Sequence, residues 1–474
     1  MTSKTNSNKR PENTCTRRDF IKTTAAVGAS GFLAGMSISC DGPAKAASSL
    51  SALKRTKPNF LFVICDQLCM DALSGYGCKD VHTPNLDRLI SRGVSFMESH
   101  STSPVCSPAR SSMFTGVMPQ ENGVLSNNRP INSNVPTMGN WFVQAGYETF
   151  YCGKWHLPDT YTCDIEGFTV LPSGQVQGDI ADVVVSRNCQ AFLEKYNGPA
   201  PFVLVSSFMQ PHDICYWYIF DDMTVPKEIP FAYLKNKLPG LPPNHKAWPK
   251  APKNLDKLKW TAFNESQWRY YRYSYYRQVE MLDADIGRVL DALEQSRHAD
   301  NTVVIFTSDH GDGMGRHSLV TKWHPYDESM KVPLVISWPG IGTMQNVRNS
   351  THLVNGLDIL PTMCDLAGIT APASTWGRSL KPLLTGQPGD WREFISADTN
   401  FGGKILRTPQ YKYVKYPNDP IEQLFDMLND PWETKNLYEE AGYCDIVKSH
   451  RQLLNDWQNR LKIVKPSPIL LPNA

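Results

Sequence analysis

Three apolar runs constrain the fold most, because each has the length of a strand and none has a polar face. They are NFLFVIC at residues 59–65, FVLV at 202–205 and TVVIFT at 302–307. A strand with one face in water alternates polar and apolar residues, so continuous runs indicate strands that are covered on both faces of a sheet. The rest of the chain must therefore supply two covering layers.

Helical patterns separate these runs. One begins at Pro84, places Leu86 and Leu89 on the same face and ends before Gly93. Proline is favoured in the first turn of a helix and glycine just past its end. A longer helical pattern covers residues 265–294. Alternating strands and helices predict an α/β fold, with a large, mainly parallel sheet sandwiched by helices.

The last part of the chain has a different pattern. Residues 404–416 (KILRTPQYKYVKY) alternate like an antiparallel strand pair, and residues 446–461 have a helical pattern. A chain of 474 residues is also longer than one core usually supports. We therefore expect a catalytic domain at 57–375 and a smaller C-terminal α+β subdomain with an antiparallel sheet at 376–474.

Residues 1–46 are typical of an export signal. Arg17 and Arg18 precede a short apolar run, and the small-x-small triplet Ala-Lys-Ala follows at 44–46. The segment resembles a twin-arginine signal peptide, whose apolar run is too short for a membrane span. Residues 47–56 would then be a linker, and the mature protein would be periplasmic or secreted.

Composition excludes some partners and leaves other questions open. A formal net charge of +2 provides no basic field for nucleic acid, and no segment is apolar enough to be a transmembrane helix. An alternative end of the signal is Cys40, which would leave a lipidated protein. The chain has 12 cysteines without a C-x-x-C pair, so the sequence predicts no particular disulfide.

Acidic residues end two of the apolar runs. Asp66 directly follows the first run and Asp309 closely follows the third, with Gln67 and His310 as their polar neighbours. The carboxyl ends of parallel strands meet at one edge of a sheet, where ligands of α/β folds bind. The two carboxylates are therefore expected to share a metal ion, with His212 after another strand of the same edge.

A motif at residues 104–116, PVCSPARSSMFTG, carries C-x-P-x-R on Cys106 and Arg110. Together with further segments, it makes residues 57–440 resemble the type I sulfatases of the alkaline-phosphatase superfamily. These segments follow the family's order along the chain. They are NFLFVICDQ (59–67), HTPNLDRL (82–89), GYETFYCGKWHL (146–157), QPHD (210–213), SDHGDGMGRH (308–317), KWHPYDESMKVPLVI (322–336) and LFDMLNDPWETKNL (424–437).

The resemblance implies a modified nucleophile. Cys106 would be oxidised to formylglycine before folding, by a formylglycine-generating or an anaerobic sulfatase-maturing enzyme. The aldehyde hydrates to a geminal diol, and one hydroxyl attacks sulfur. The second hydroxyl then expels sulfate by C–O cleavage, an exit that a serine ester lacks. This is covalent catalysis in two steps.

The resemblance also implies a divalent cation, held by Asp66, Gln67, Asp309 and His310 together with residue Cys106 in its modified form. Oxygen-rich ligation favours Ca²⁺, with Mg²⁺ and Mn²⁺ left open. Gln67 stands where many relatives have a second Asp, and His310 where many have Asn. Both replacements occur in the family, and they lower the negative charge of the site.

The remaining predicted site residues take their roles from the family. Arg110 would hold the diol and the neighbouring carboxylates. Lys154 and Lys322 would grip the sulfate oxygens and neutralise charge in the transition state. His156 would lie beside the diol, and His212 would protonate the leaving group as a general acid.

For several other residues two interpretations stay open. Asp312, Arg316 and His317 would either support the site or contact substrate. A second set of aromatic residues, with the lysines of 235–259, would either line a sugar pocket or pack in loops and core. These aromatic residues are Trp217, Tyr218, Trp248, Trp260 and Trp268.

The expected function is hydrolysis of sulfate esters of a carbohydrate, such as a glycosaminoglycan or other polysaccharide fragment. The alternative within the superfamily is a phosphonate or phosphate monoester hydrolase, because sulfate and phosphate are isosteric tetrahedral anions. A non-catalytic sulfoglycan-binding protein is a third hypothesis. The set Cys106, Arg110, Lys154, His156 and Lys322 argues against it, since binding alone needs no aldehyde precursor.

Overall fold

The computed structural model describes most of the chain that follows the predicted export signal. The described residues are 57–470 except 175, 217–231, 260–261 and 388. The predicted signal peptide and linker therefore lie outside the described residues. So do three of the candidate pocket aromatics, Trp217, Tyr218 and Trp260.

Strands of the described residues form three sheets. The strands are β1 (Asn59–Asp66), β2 (Val94–Phe96), β3 (Ser99–His100), β4 (Glu148–Gly153), β5 (Thr169–Val170), β6 (Phe202–Pro211), β7 (Thr302–Ser308), β8 (Leu334–Ser337), β9 (Val347–Asn349), β10 (Val354–Asn355), β11 (Ile395–Asp398), β12 (Lys404–Arg407), β13 (Tyr411–Lys415) and β14 (Gln423–Asp426). β3 and β10 form a small parallel pair of their own.

The largest sheet has eight strands in the order β5-β4-β6-β1-β7-β8-β2-β9. All neighbouring strands are parallel except at β8, which runs against both β7 and β2. β1 lies near the centre, where Phe62 pairs with Val205 of β6 and with Ile305 of β7. The three apolar runs are thus three adjacent strands, and the predicted mainly parallel sheet is confirmed.

Within the described residues, seven helices have seven or more residues. They are α1 (Pro84–Arg92), α2 (Cys106–Thr115), α3 (Met138–Gln144), α4 (Gly178–Lys195), α5 (Glu265–Gln295), α6 (Ile359–Ala367) and α7 (Cys444–Arg460). Both ends of α1 follow the predicted signals, with Pro84 in its first turn and Gly93 after its end. At the start of α5 the side chain of Asn264 accepts a hydrogen bond from the backbone N–H of Gln267, which caps the helix.

Two helical layers cover the sheet. Leu61 and Val63 of β1 pack in a core cluster with side chains of α1, α4 and α5. Phe60 and Phe62, which point to the opposite face, pack with side chains of α2, α3 and α6. Successive residues of a strand face opposite sides, so a strand in the middle of a sandwich must be apolar throughout.

The small C-terminal sheet has the order β11-β12-β13-β14 and is antiparallel throughout. Leu406 and Tyr413 on one face pack against Leu454 of α7. Ile405 and Val414 are on the other face, in a cluster that includes side chains from the loop after β7. The predicted α+β unit with an antiparallel sheet is confirmed.

The described residues from 57 to 470 belong to one compact unit, so the boundary expected at 375/376 stays a prediction. Among the helices of the described residues, none combines the length and the apolar character that crossing a membrane requires.

Candidate active site

The site begins where β1 and β7 end side by side. Cys65 pairs with Ser308 in the parallel ladder, which brings the following residues Asp66 and Asp309 together. Both carboxylates are fully buried. Arg110 of α2 joins them, because its Nε donates to Asp309 Oδ2 at 2.8 Å and a terminal nitrogen donates to Asp66 Oδ2 at 3.2 Å. A buried planar guanidinium compensates both charges and fixes their orientation.

Cys106 is the first residue of α2 and is fully buried beside this pair. Its Sγ lies 3.2 Å from His310 Nε2 and 3.3 Å from Lys322 Nζ. Burial and the Asp66 carboxylate act to raise the pKa of the Cys106 thiol. The cations Lys322, Lys154 and His310 outweigh both and hold that pKa well below its ordinary value.

Four of the predicted metal residues converge. Ligand atoms of Asp66, Cys106, Asp309 and His310 all lie within 4.8 Å of one another, and all four residues are buried. His310 Nδ1 lies 2.9 Å from the carbonyl oxygen of Gly311. That contact places a proton on Nδ1, so loss of the second proton from the charged ring would leave a lone pair on Nε2 for a metal ion in the cluster.

The electrostatics of the two carboxylates fit a cation. Burial, followed by repulsion from Asp66, raises the pKa of Asp309 to about 7. A divalent ion between the two carboxylates would favour their ionised forms, and carboxylate and imidazole are both ordinary metal ligands. The donor set therefore fits a metal site, while its chemistry does not single out one metal.

Gln67, the fifth predicted ligand, is oriented by its neighbours. Its Nε2 donates to Asp312 Oδ2 at 2.7 Å, and its Oε1 accepts from Lys322 Nζ at 2.7 Å. Its backbone φ is 71°, in the left-handed region that few non-glycine residues adopt. The amide oxygen is thus directed to the lysine, and its role at a metal stays a prediction.

The two lysines predicted to bind the sulfate group flank the buried carboxylates. Lys154 Nζ is 2.7 Å from Asp66 Oδ2, and Lys322 Nζ is 4.0 Å from Asp66 Oδ1. Both side chains are almost completely buried. Because the carboxylates also pair with Arg110, the site holds three cationic side chains around two acidic ones. An anion could therefore bind here.

Both predicted histidines reach the site. His156 has a φ of 62°, and its buried Nδ1 has no hydrogen-bond partner in the described part of the chain. His212 Nε2 lies 4.0 Å from Asp66 Oδ1, and its side chain is 17% exposed. Burial, with Lys154 and then Lys322, lowers the pKa of His212 to about 3. The imidazole is therefore neutral near pH 7 before an anion binds.

Two supporting residues were not among the predicted site residues. Ser207 of β6 accepts a hydrogen bond from Arg110 at 2.9 Å and donates to the carbonyl oxygen of Lys154 at 2.6 Å. Tyr151 donates to the same carbonyl. The only sequence signal for Ser207 was the polar pair Ser206-Ser207 in an otherwise buried apolar strand.

The sequence left two interpretations open for several residues, and in the structure these residues make contacts within the protein. Asp312 accepts hydrogen bonds from Gln67, Tyr271 and the backbone of Met314, so it holds the Gln67 side chain in position. Arg316 pairs with Asp71.

His317 also supports the surrounding loop, since it contacts Asn244 and the carbonyl oxygen of Ala247. Trp268 is a core residue and is 3% exposed. Trp248 donates its indole N–H to Asp256 of the adjacent turn.

Comparison with known proteins agrees with this geometry. Residues 58–369 match the sulfatase family, and residues 315–460 match the C-terminal family of N-sulphoglucosamine sulphohydrolase. The fold and the buried site define a hydrolase of the alkaline-phosphatase superfamily. Within it, the chain belongs to the sulfatase family and is a sulfuric ester hydrolase.

The chain is similar in sequence or structure to the following three sulfatases. A Δ4,5-hexuronate-2-O-sulfatase from Bacteroides thetaiotaomicron is 33% identical over 453 residues, covering 87% of this chain and 91% of that protein. An N-acetylglucosamine-6-O-sulfatase from the same organism is 26% identical, with coverages of 86% and 87%. The solved structure of a 2-O GAG sulfatase has a TM-score of 0.74 and 31% identity, with coverages of 86% and 95%.

Proposed function

We propose that this sulfatase removes sulfate from a sulfated carbohydrate, using a formylglycine made from Cys106 and a bound divalent cation. The observation that carries the proposal is the position of Cys106. It begins a buried helix, contacts a lysine and a histidine, and faces two carboxylates held by Arg110. The carbohydrate class is supported by relatives whose names specify sulfated uronate and hexosamine substrates.

Formylglycine supplies, when hydrated, a hydroxyl that attacks sulfur. Arg110 would hold that group against the carboxylates, which the guanidinium already spans. His156 would lie beside it, because the His156 carbonyl oxygen accepts from Ser107 Oγ at 2.6 Å, next to residue 106. The helix N-terminus of α2 adds partial positive charge at the same point.

Asp66, Gln67, Asp309 and His310 would hold the cation, with the side chain of residue 106 completing the set. Bound there, it makes a neighbouring hydroxyl more acidic. We favour Ca²⁺ because two carboxylates and an amide are oxygen ligands, while Mg²⁺ and Mn²⁺ suit the same donors. Metal identity is open to direct elemental analysis.

Lys154 and Lys322 would bind the sulfate oxygens. Each ammonium contacts Asp66 or Gln67, so each is held in place before an anion arrives. Charge builds on the sulfuryl oxygens and the leaving group during transfer, and preorganised cations stabilise it without reorganisation. His212 would protonate the departing sugar oxygen.

The test uses protein produced with a formylglycine-generating enzyme. A panel of sulfated mono- and disaccharides, assayed by released sulfate, should reveal at least one substrate, and Cys106→Ala should abolish turnover. Mass spectrometry should find formylglycine in the peptide that contains residue 106. Full activity with only an unmodified thiol there would contradict the mechanism. Preference for phosphate or phosphonate analogues would contradict the reaction class.

We also propose that residues 1–46 are removed during twin-arginine export, which places the enzyme in the periplasm or outside the cell. The paired Arg17 and Arg18 support this. Changing both to lysine should block export, whereas unchanged export would contradict this route. Mass spectrometry of the mature N-terminus distinguishes cleavage after residue 46 from lipidation at Cys40.

A further inference from the structure

A second cleft lies away from the catalytic site, between the covering layer of the large sheet and the small C-terminal sheet. It has a volume of about 640 Å³. Three tryptophans and three arginines dominate its lining. They are Trp376, Trp391, Trp457, Arg378, Arg392 and Arg460.

Helix α2 separates the cleft from the catalytic residues. The backbone N–H of Trp376 donates to the carbonyl oxygen of Gly116, which follows the last residue of α2. Cys106 is the first residue of this ten-residue helix. At 1.5 Å rise per residue, the two ends are about 15 Å apart. The cleft is therefore a separate place on the molecule.

Two of the three indole rings are held by their N–H groups, which fixes their orientation. Trp376 Nε1 donates to Glu121 Oε2 at 2.6 Å, and Trp391 Nε1 donates to the carbonyl oxygen of Leu353 at 2.8 Å. Trp457 lies edge-on to Trp376, with ring centres 4.7 Å apart. None of the three rings is fully buried.

The arginines lie over these rings. Arg460 Cζ is 5.0 Å from the ring centre of Trp376, and Arg378 Cζ is 5.9 Å from that of Trp391. Arg392 also lies over Trp391, but its charge is neutralised by a two-bond pair with buried Asp358. Stacking on an indole holds a guanidinium with its N–H groups directed outward.

Two of these cations have no acidic partner. Arg378 and Arg460 are exposed, and among the described residues no carboxylate forms an ion pair with either. The only acidic residue of the lining is exposed Glu393. The cleft therefore has an excess of positive charge, which favours an anionic occupant.

We propose that this cleft is a non-catalytic binding site for a sulfated oligosaccharide. Indole faces pack on the apolar C–H faces of sugar rings, and guanidinium groups donate paired hydrogen bonds to tetrahedral or planar anions. The inference rests on the proposed function, because the occupant would be another part of the same sulfated carbohydrate or a second chain of it.

The test measures binding rather than turnover. Cys106→Ala protein is titrated with a heparin octasaccharide, alone and with Arg378→Ser and Arg460→Ser added. The pair of substitutions should raise the Kd for the octasaccharide roughly tenfold, which is the loss of affinity expected for two exposed charge-assisted contacts. The matched control, Arg187→Ser with Arg288→Ser, removes the same charge from exposed positions of α4 and α5 and should leave Kd unchanged.

Further arms identify the ligand chemistry. Arg378→Lys with Arg460→Lys should restore only part of the affinity, because lysine keeps the charge without the paired geometry. An unsulfated octasaccharide of the same backbone should bind far more weakly. An eight-residue glutamate peptide that competes as well as the octasaccharide would overturn the proposal, and so would equal octasaccharide binding by the cleft and control variants.

The two proposals fail in different ways. Absence of sulfate release by the matured wild-type protein would contradict the proposed catalytic function. An unchanged Kd in the Arg378→Ser, Arg460→Ser protein would contradict the cleft alone. Thermal unfolding of each variant is measured alongside, because Arg378 also donates to the carbonyl oxygen of Asp390 at 3.3 Å and both arginines stack on indole rings. A loss of binding supports the proposal only where the Tm of the variant matches that of its parent.

Discussion

At the scale of single residues, Arg110 has the most demanding environment of the site. It is completely buried, and besides the two carboxylates it donates to the carbonyl oxygen of Lys154 at 2.9 Å and to Ser207. Its three nitrogens make four hydrogen bonds, so neither a shorter nor a non-planar cation can replace it. The residue is therefore expected to act on stability as well as on activity.

Arg110→Met should destabilise the fold by about 3–5 kcal/mol, because it leaves two buried carboxylates without their partner. Arg110→Lys should lie between this variant and wild type, since lysine keeps the charge but loses the fork geometry. Urea unfolding in EDTA measures the effect without metal. Exposed Arg288→Met is the control, and equal stability of the two Met variants would contradict the argument.

His212→Ala should lower turnover of a sulfated sugar by about 10²–10⁴-fold, the usual contribution of a general acid. An activated aryl sulfate should lose much less, because its leaving group needs little help from a proton. The low pKa of free His212, about 3, implies that the sulfate anion must offset the lysines before the imidazole can carry a proton.

Lys154→Ala is the matched comparison, and it should damage both substrates because it would grip the sulfate itself. Steady-state kinetics of both variants on the two substrates show whether His212 acts as the general acid. Equal losses for His212→Ala on both would make His212 a binding residue and leave Lys322 as the proton donor.

At the scale of elements, the short helix Asp327–Met330 links the loop that carries Lys322 to the small sheet. Asp327 pairs with Lys412 of β13 at 2.7 Å, and the next residue, Glu328, is 3% exposed. Burial raises the pKa of Glu328 to about 7, above its ordinary 4.5. This carboxyl therefore keeps its proton in the folded protein at pH values where the unfolded chain has lost it.

The pKa of Glu328 is higher in the folded protein than in the unfolded chain, and this determines how stability changes with pH. The stabilising contribution of Glu328 is fully present below about pH 4.5 and is lost as the pH rises to about 7. Glu328→Gln should therefore gain stability relative to wild type between pH 5 and pH 8, by about 1–3 kcal/mol. Urea unfolding at both values measures it, with exposed Glu439→Gln as control. No pH dependence of the difference would refute the assignment.

At the scale of the whole molecule, cation binding and folding are linked. A ligand that binds only the folded chain adds about 2.7 kcal/mol at 100 times its Kd. Calcium should therefore raise the Tm of the wild type and EDTA should lower it, together with sulfate release. Asp66→Asn with Asp309→Asn should remove this response. Identical Tm and activity in calcium and in EDTA would rule out the metal.

The sequence predicted the layers of the fold better than the contacts of the site. Residues 59–65 and 302–307 needed only their apolar character to be recognised as buried strands, and the structure confirms them as β1 and β7. The helix predicted at 265–294 is one residue short of α5. These features depend on residues close together in the sequence, so the periodicity of apolar residues is enough to predict them.

The site was predictable only where a motif or a strand end marked it. Asp66 and Asp309 end adjacent strands, and Cys106 lies in C-x-P-x-R. Ser207 acts through a side chain that meets Arg110 only after distant strands have packed, which no local pattern encodes. The orientation of Gln67 toward Lys322 likewise depends on Asp312, a partner that is remote in sequence.

The small sheet packs against the loop that carries Lys322, and this contact limits which parts of the enzyme can be exchanged between relatives. Lys322 lies between Leu319 and Tyr326, and both side chains pack with Ile405 and Val414 of the C-terminal sheet. Recombination at a junction near residue 375 would join a lysine-bearing loop to a sheet that had not been selected with it. The two parts are therefore expected to be inherited as one unit, and chimaeric libraries should keep active members only where both sides of this contact come from the same parent.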